Sequence, residues 1–256
     1  MTPEWPLYLL AGLMGAAVGS FLNVCVYRWP ADQSVVSPPS RCPSCGAGIR
    51  WYDNVPVLGW LWLRGRCRSC RAPISVQYPL VELATAAVWV MAALRFGYTW
   101  QTLSTALFFT LLLGIALSDA RTYIIPDQFT LGGLVIGLAL AFAPGGITPR
   151  NAAIGAALGF ALLYAVGVLG KIAFRKPAMG GGDIKMMAMV GAFLGPAGVL
   201  LTIFLGALFG SFIFGPISLK TGKLVPFGIF LALGAAIAEP WGAAMVDWYV
   251  RSFLGG

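Results

Sequence analysis

Eight apolar runs, separated by short polar breaks, order this chain. They fall near 6–27, 79–95, 101–118, 128–145, 151–170, 184–195, 197–217 and 224–247. A helix needs about 20 mostly apolar residues to cross a hydrocarbon layer. The pattern therefore predicts an all-α polytopic membrane protein of about eight transmembrane helices. The sixth run is short and is followed by Gly195-Pro196, so seven spans with a re-entrant segment is the alternative. The first run lacks a positive segment before it and ends in Tyr27-Arg28 rather than at a small-residue cleavage site, so it is expected to stay as an anchor.

One long polar break interrupts the series, at 29–78. The expected organisation is a first span at 1–28, a cytoplasmic metal domain at 29–78 and a transmembrane core at 79–256. Composition agrees with the membrane class. Of 256 residues 59% are hydrophobic and 10% charged, against about 25% charged in soluble domains.

Charge adds an orientation. Fourteen of the 17 Lys and Arg residues fall on one side of this topology, leaving Arg95, Arg150 and Arg251 on the other. Cytoplasmic loops carry the excess of positive charge, so the 29–78 loop is expected in the cytoplasm and both termini outside. The net charge of +8 is mostly topology, and no nucleic-acid partner is expected.

The loop holds Cys42-Pro43-Ser44-Cys45 and, after 21 residues, Cys67-Arg68-Ser69-Cys70. Two CxxC knuckles at this separation predict a closed four-thiolate site for structural zinc. Two disulfides are the alternative, disfavoured where thiols stay reduced. A segment of about 50 residues needs such a staple, because it cannot bury enough apolar area alone. The stretch from Trp51 to Trp62 is too apolar for a free loop and is expected on the metal core or in the membrane interface. Cys25, inside the first span, reads as a small buried hydrophobe.

Candidate chemistry rests on two carboxylates. Asp119 ends the third run, and Asp183 follows Gly180-Gly181-Gly182 at the head of the sixth. Charge at the mouth of a membrane segment is a functional hypothesis, and this topology puts both on the cytoplasmic face. The chain has no histidine, which removes Ser-His and Cys-His pairs. Two carboxylates sharing a proton can still activate water for amide hydrolysis. Helix capping by Asp183, before Ile184, is the plain alternative. Gly180 and Gly182 would permit close approach, Asp127 a cap or supporting role, and Glu82 a contact to an arginine of the metal domain, a substrate site or a place snorkelling at the interface. A proton-coupled transporter and a zinc-bearing scaffold are the rival classes. The first is disfavoured because both aspartates sit at span ends.

The ordered motifs resemble the type IV prepilin peptidases. They are Gly19-Ser20-Phe21-Leu22-Asn23-Val24, the two cysteine pairs, Asp53-Asn54-Val55-Pro56, Gly65-Arg66-Cys67, Tyr78-Pro79-Leu80-Val81-Glu82, Asp119 with Ile125-Pro126-Asp127, Gly180-Gly181-Gly182-Asp183 as a GxGD motif, and Val225-Pro226-Phe227-Gly228. The resemblance implies an intramembrane aspartic protease of the bacterial inner membrane with Asp119 and Asp183 as its catalytic pair. It implies cleavage of the short basic leader of type IV prepilins or pseudopilins, then N-methylation of the new terminus with S-adenosylmethionine. The cysteine loop is characteristic of the bifunctional members. No glycine-rich strand-turn-helix fingerprint marks a cofactor site.

Overall fold

The computed structural model describes residues 5–176, 179–221, 226–253 and 255, without the side chains of 214–221. Lys223 and Val225 lie outside the described residues, as does the Lys220 side chain. The described residues are mostly helical: α1 (Trp5–Arg28), α2 (Leu58–Trp62), α3 (Gln77–Phe96), α4 (Trp100–Thr122), α5 (Asp127–Leu140), α6 (Pro149–Phe174), α7 (Gly181–Thr221) and α8 (Phe227–Phe253). They form two compact units, Met1–Thr110 and Leu111–Gly256.

In the first unit α1 and α3 pack antiparallel through glycines. A Cβ at Gly15 would stand 2.8 Å from the Ala86 Cα, and one at Gly19 would stand 2.8 Å from the Glu82 Cα. Small residues four apart let two membrane helices bring their backbones together, the contact that replaces hydrophobic drive in lipid. Leu7, Ala11, Trp89, Ala92, Ala93 and Ala106 close the core beyond. Trp89 satisfies its indole N–H on Thr110 Oγ1 at 3.1 Å.

The second unit repeats the device at closer range. A Cβ at Gly191 would lie 2.1 Å from the Gly155 carbonyl oxygen, and one at Gly159 would lie 2.2 Å from that of Met187. α6 thus meets the first limb of α7 backbone to backbone. Gly191→Ala is expected to force the two apart and lower stability by about 1–3 kcal/mol, read as a lower thermal midpoint in detergent. An unchanged midpoint would mean that the contact is looser than drawn.

α7 is not one straight rod. Gly195 is non-helical, with φ 70 and ψ −173, in the left-handed half of the map that favours glycine. A straight helix would put residues 182 and 210 about 42 Å apart. Both instead touch the region where α8 begins: Gly182 packs on Ile125, as Gly228 does, and Gly210 packs on Phe227 and Phe230. The chain doubles back at Gly195-Pro196, so the first limb of α7 runs against α6 and the second against α8.

Six helices among the described residues have the length and composition to cross a membrane, rather than the eight expected. The difference has two physical causes. α5 has 14 residues, and the first limb of α7, which starts at Gly181, is cut short by the break at Gly195.

Candidate active site and metal centre

Four helix ends of the second unit meet at one place: the last turn of α4 and the first turns of α5, α7 and α8. Asp119 lies in that last turn of α4 and is buried, 5% exposed. A carboxylate there meets the negative end of the helix dipole, so it needs donors from elsewhere. It finds them at the positive end of α8, where the Ile229 amide donates to Asp119 Oδ2 at 3.2 Å and the Gly228 amide also points at the carboxylate. Gly228 is required by distance: a Cβ there would stand 2.8 Å from Asp119 Oδ2.

Asp183 sits in the first turn of α7, which begins at Gly181. Capping, the plain alternative, therefore takes place from within the helix. Asp183 is inside the helix and reaches back to the Gly180 amide, as an acid at the third position of a helix does. A Cβ at Gly180 would fall 2.9 Å from its Oδ2. Its Oδ1 is buried with no protein partner among the described residues. Asp183 is close enough to sense the charge of Asp119.

Ile125 joins the two halves. Its side chain is the first atom group met by a Cβ at either Gly182 or Gly228. It wedges the start of α7 against the start of α8, and so fixes one aspartate relative to the other. Only its place beside Pro126-Asp127 in the motif hinted at this.

Asp127 opens α5 but makes no cap bond. It binds Lys185 instead, with Nζ 2.7 Å from Oδ1 and 2.8 Å from Oδ2. This ties α5 to α7 beside Asp183. The pair is exposed, with side chains 37% and 53% accessible, and exposed pairs contribute about 0–1 kcal/mol. Asp127→Asn should therefore shift the thermal midpoint little and leave whatever reaction the two aspartates catalyse within a few-fold of wild type. Complete loss of turnover by a folded variant would give Asp127 a direct chemical role.

Glu82 belongs to the first unit. It is buried, 7% exposed, and its Oε2 accepts the Val57 amide at 2.6 Å. Its partner in the loop is thus a backbone amide rather than an arginine. Val57 has φ 61, a left-handed setting that a β-branched residue adopts only under restraint. Asn23 ties α1 to the first turn of α3, its Nδ2 donating to the Gly19 and Tyr78 carbonyls at 3.2 Å each.

The four cysteines meet. Their Sγ atoms all lie within 4.8 Å of one another, and those of Cys42 and Cys70 are 3.8 Å apart. A tetrahedron with metal–sulfur bonds of about 2.3 Å has edges of about 3.8 Å, so the cluster can hold a metal ion. The two knuckles are copies of one turn. Residues 41–48 and 66–73 share the order Arg-Cys-x-Ser-Cys-x-Ala, and each closes with a bridge, Arg41 to Gly48 and Arg66 to Pro73. Gly46 (φ 72) and Arg71 (φ 61) hold equivalent left-handed positions. The amides of Cys45 and Ser44 bring the Cys42 thiol down to about 6 from 9.0. Those of Cys70 and Ser69 lower Cys67 likewise. Both shifts favour the thiolate, the form that ligates.

Arg68 braces the second knuckle on Asp53 through two bonds, Nε to Oδ2 at 2.7 Å and a terminal nitrogen to Oδ1 at 2.5 Å. That guanidinium holds the Asp53 carboxyl below its usual range.

Comparison with known proteins places the chain. Residues 13–96 match the bacterial peptidase A24 N-terminal domain and residues 106–215 the type IV leader peptidase family. The chain is 37% identical over 278 residues to the prepilin leader peptidase/N-methyltransferase of Aeromonas hydrophila, covering 98% of this chain and 96% of that protein. The Pseudomonas aeruginosa protein of the same name is 36% identical over 266 residues, covering 93% and 92%. That of Myxococcus xanthus is 41% identical over 214 residues, and the match spans 84% of this chain and 64% of the relative. No solved structure matches. With both domain matches in order and relatives aligned almost end to end, the chain belongs to the type IV leader peptidase family, among the prepilin leader peptidase/N-methyltransferases.

Proposed function

We propose that this chain cleaves the leader of type IV prepilins or pseudopilins with Asp119 and Asp183, then N-methylates the new terminus with S-adenosylmethionine as methyl donor. The observation that carries the cleavage reading is the convergence of two carboxylates, one buried and one with a buried unpartnered oxygen among the described residues, at a single rim of helix ends. Like charges held close favour a state with one shared proton. The ionised carboxylate takes a proton from water, and that water attacks the scissile carbonyl. The protonated carboxyl gives its proton to the carbonyl oxygen. Collapse of the tetrahedral species then expels the amine, which takes a proton from the dyad. The amides of Gly228 and Ile229 hold Asp119 in place throughout.

The division of labour follows the expected domains. The core at 79–256 carries the peptidase, and the loop at 29–78 serves methylation. Zinc is the metal that four cysteine thiolates suit best, and Cys42, Cys45, Cys67 and Cys70 would hold it as a structural ion. A sulfonium methyl donor carries positive charge at the sulfur from which the methyl group leaves. At the foot of the loop, the Glu82 carboxylate and the Asn23 Oδ1, buried and unpaired among the described residues, offer matching polarity. The crowded positive side, with the loop and the dyad rim, faces the cytoplasm in the bacterial inner membrane, where a basic leader would meet it.

The test is a purified chain incubated with a prepilin and labelled S-adenosylmethionine, with leader loss and methyl incorporation read separately. Both signals are expected, with methylation following cleavage. A transporter or a scaffold predicts neither.

A further inference from the structure

The loop leaves apolar side chains uncovered by its own fold. α2 turns Gly59 and Trp60 inward: a Cβ at Gly59 would stand 2.2 Å from the Asp53 carbonyl oxygen, and the Trp60 indole donates to the Ile74 carbonyl at 3.1 Å. The remaining large residues of this short helix face out. Leu58 is 64% exposed, Leu61 57% and Trp62 82%. Soluble surfaces rarely present such a cluster without a partner.

Two observations say what the partner is. The first is depth. Val57, immediately before α2, hangs from Glu82 by its amide, and Glu82 lies five residues into α3. That is about 7.5 Å along the helix axis, and α3 is one of the candidate membrane spans. α2 therefore starts beside the first turns of a span, not above it. The second is charge. Arg64 and Arg66 follow α2 directly and are exposed, as are Arg41, Arg50 and Arg71. Of the loop's arginines, Arg68 already has its carboxylate in Asp53.

We propose that α2 is an interfacial anchor lying in the headgroup layer of an anionic bilayer. Leu58, Leu61 and Trp62 enter the acyl boundary, and Arg64 and Arg66 meet lipid phosphates. Tryptophan partitions to that boundary and short amphipathic helices lie in its plane. Arginine keeps its stem in apolar surroundings and its head on phosphate. The anchor fixes the height of the knuckles over the membrane through the strained Val57 joint. It does not depend on the peptidase reading.

The full metal-loaded chain is reconstituted in vesicles of phosphatidylcholine with and without phosphatidylglycerol. The emission of Trp62 is taken as the difference between wild type and Trp62→Phe, with metal content confirming that both fold. Lipids brominated near the headgroup are expected to remove most of the Trp62 signal, lipids brominated deep in the chain less, and aqueous iodide little. Phosphatidylglycerol should increase the shallow quenching, and Arg64→Gln with Arg66→Gln should abolish that increase. Iodide as the main quencher would overturn the anchor. So would a Trp62 open to iodide until a prepilin is added, which would make the face a protein-binding surface. Quenching indifferent to anionic lipid would overturn the phosphate contact.

Discussion

Replacing Cys42 and Cys45 together by serine should empty the metal centre, unfold the loop and abolish methylation, while the chain still cleaves peptides. The size of the effect follows from what the metal supplies. Structural zinc binding to four-ligand sites is worth about 10–16 kcal/mol at neutral pH, far more than so small a loop could recover from its own packing. Two of four thiolates cannot close a tetrahedron, so the loss is all or none. Bound metal should fall from about one per chain to background, with loss of amide protection across 40–75. Cleavage should survive because the cysteines and the two aspartates belong to different compact units. A strong chelator or acid should act in the same way. The Cys45 and Ser44 amides favour the Cys42 thiolate, and acid protonates the thiolates that must hold the ion. Methylation that continues at full rate after complete metal loss would sever the link between loop and transferase.

The second large effect concerns the aspartates. Asp119→Asn or Asp183→Asn should reduce leader cleavage by about 10²–10⁴-fold or more, the usual contribution of a positioned acid or base. Both substitutions keep shape and volume, so insertion, helicity and metal content should not change. In Asp119→Asn the side-chain amide oxygen could still accept the Ile229 N–H, which isolates the chemistry from the packing. Because one carboxylate works only through the other, the losses should not add. The double variant should be no slower than the worse single one. Two independent helix caps would instead each cost a little stability and leave turnover intact.

Much of this was legible in the chain. The apolar runs gave the helices because hydropathy is a local property, and Gly195-Pro196 marked the break that the structure turns into a hairpin. The CxxC spacing gave the metal cluster because a knuckle is a local turn. What was hidden is tertiary. The bond from Ile229 to Asp119 spans 110 residues, and no periodicity announces it. Gly228 looked like one member of a motif until its distance to Asp119 showed why nothing larger fits. Lys185 reads in the sequence as a topological charge, yet it closes on Asp127 across 58 residues. A cap before Ile184 would put Asp183 outside its helix, and it sits in the third position inside it. Helix ends are set by such long contacts as much as by local signals. The exposed face of α2 was half visible: the apolar stretch allowed either the metal core or the membrane interface, and Trp60 and Trp62 turn out to divide between an inward and an outward face.

The shared-proton pair is tested most directly by single-turnover cleavage of a prepilin in four purified proteins: wild type, Asp119→Asn, Asp183→Asn and the double variant, matched for helicity and metal content. A shared-proton pair predicts one fast protein and three that share a common residual rate. A single variant that cleaves near the wild-type rate, or a double variant slower than both singles by the product of their losses, would contradict it.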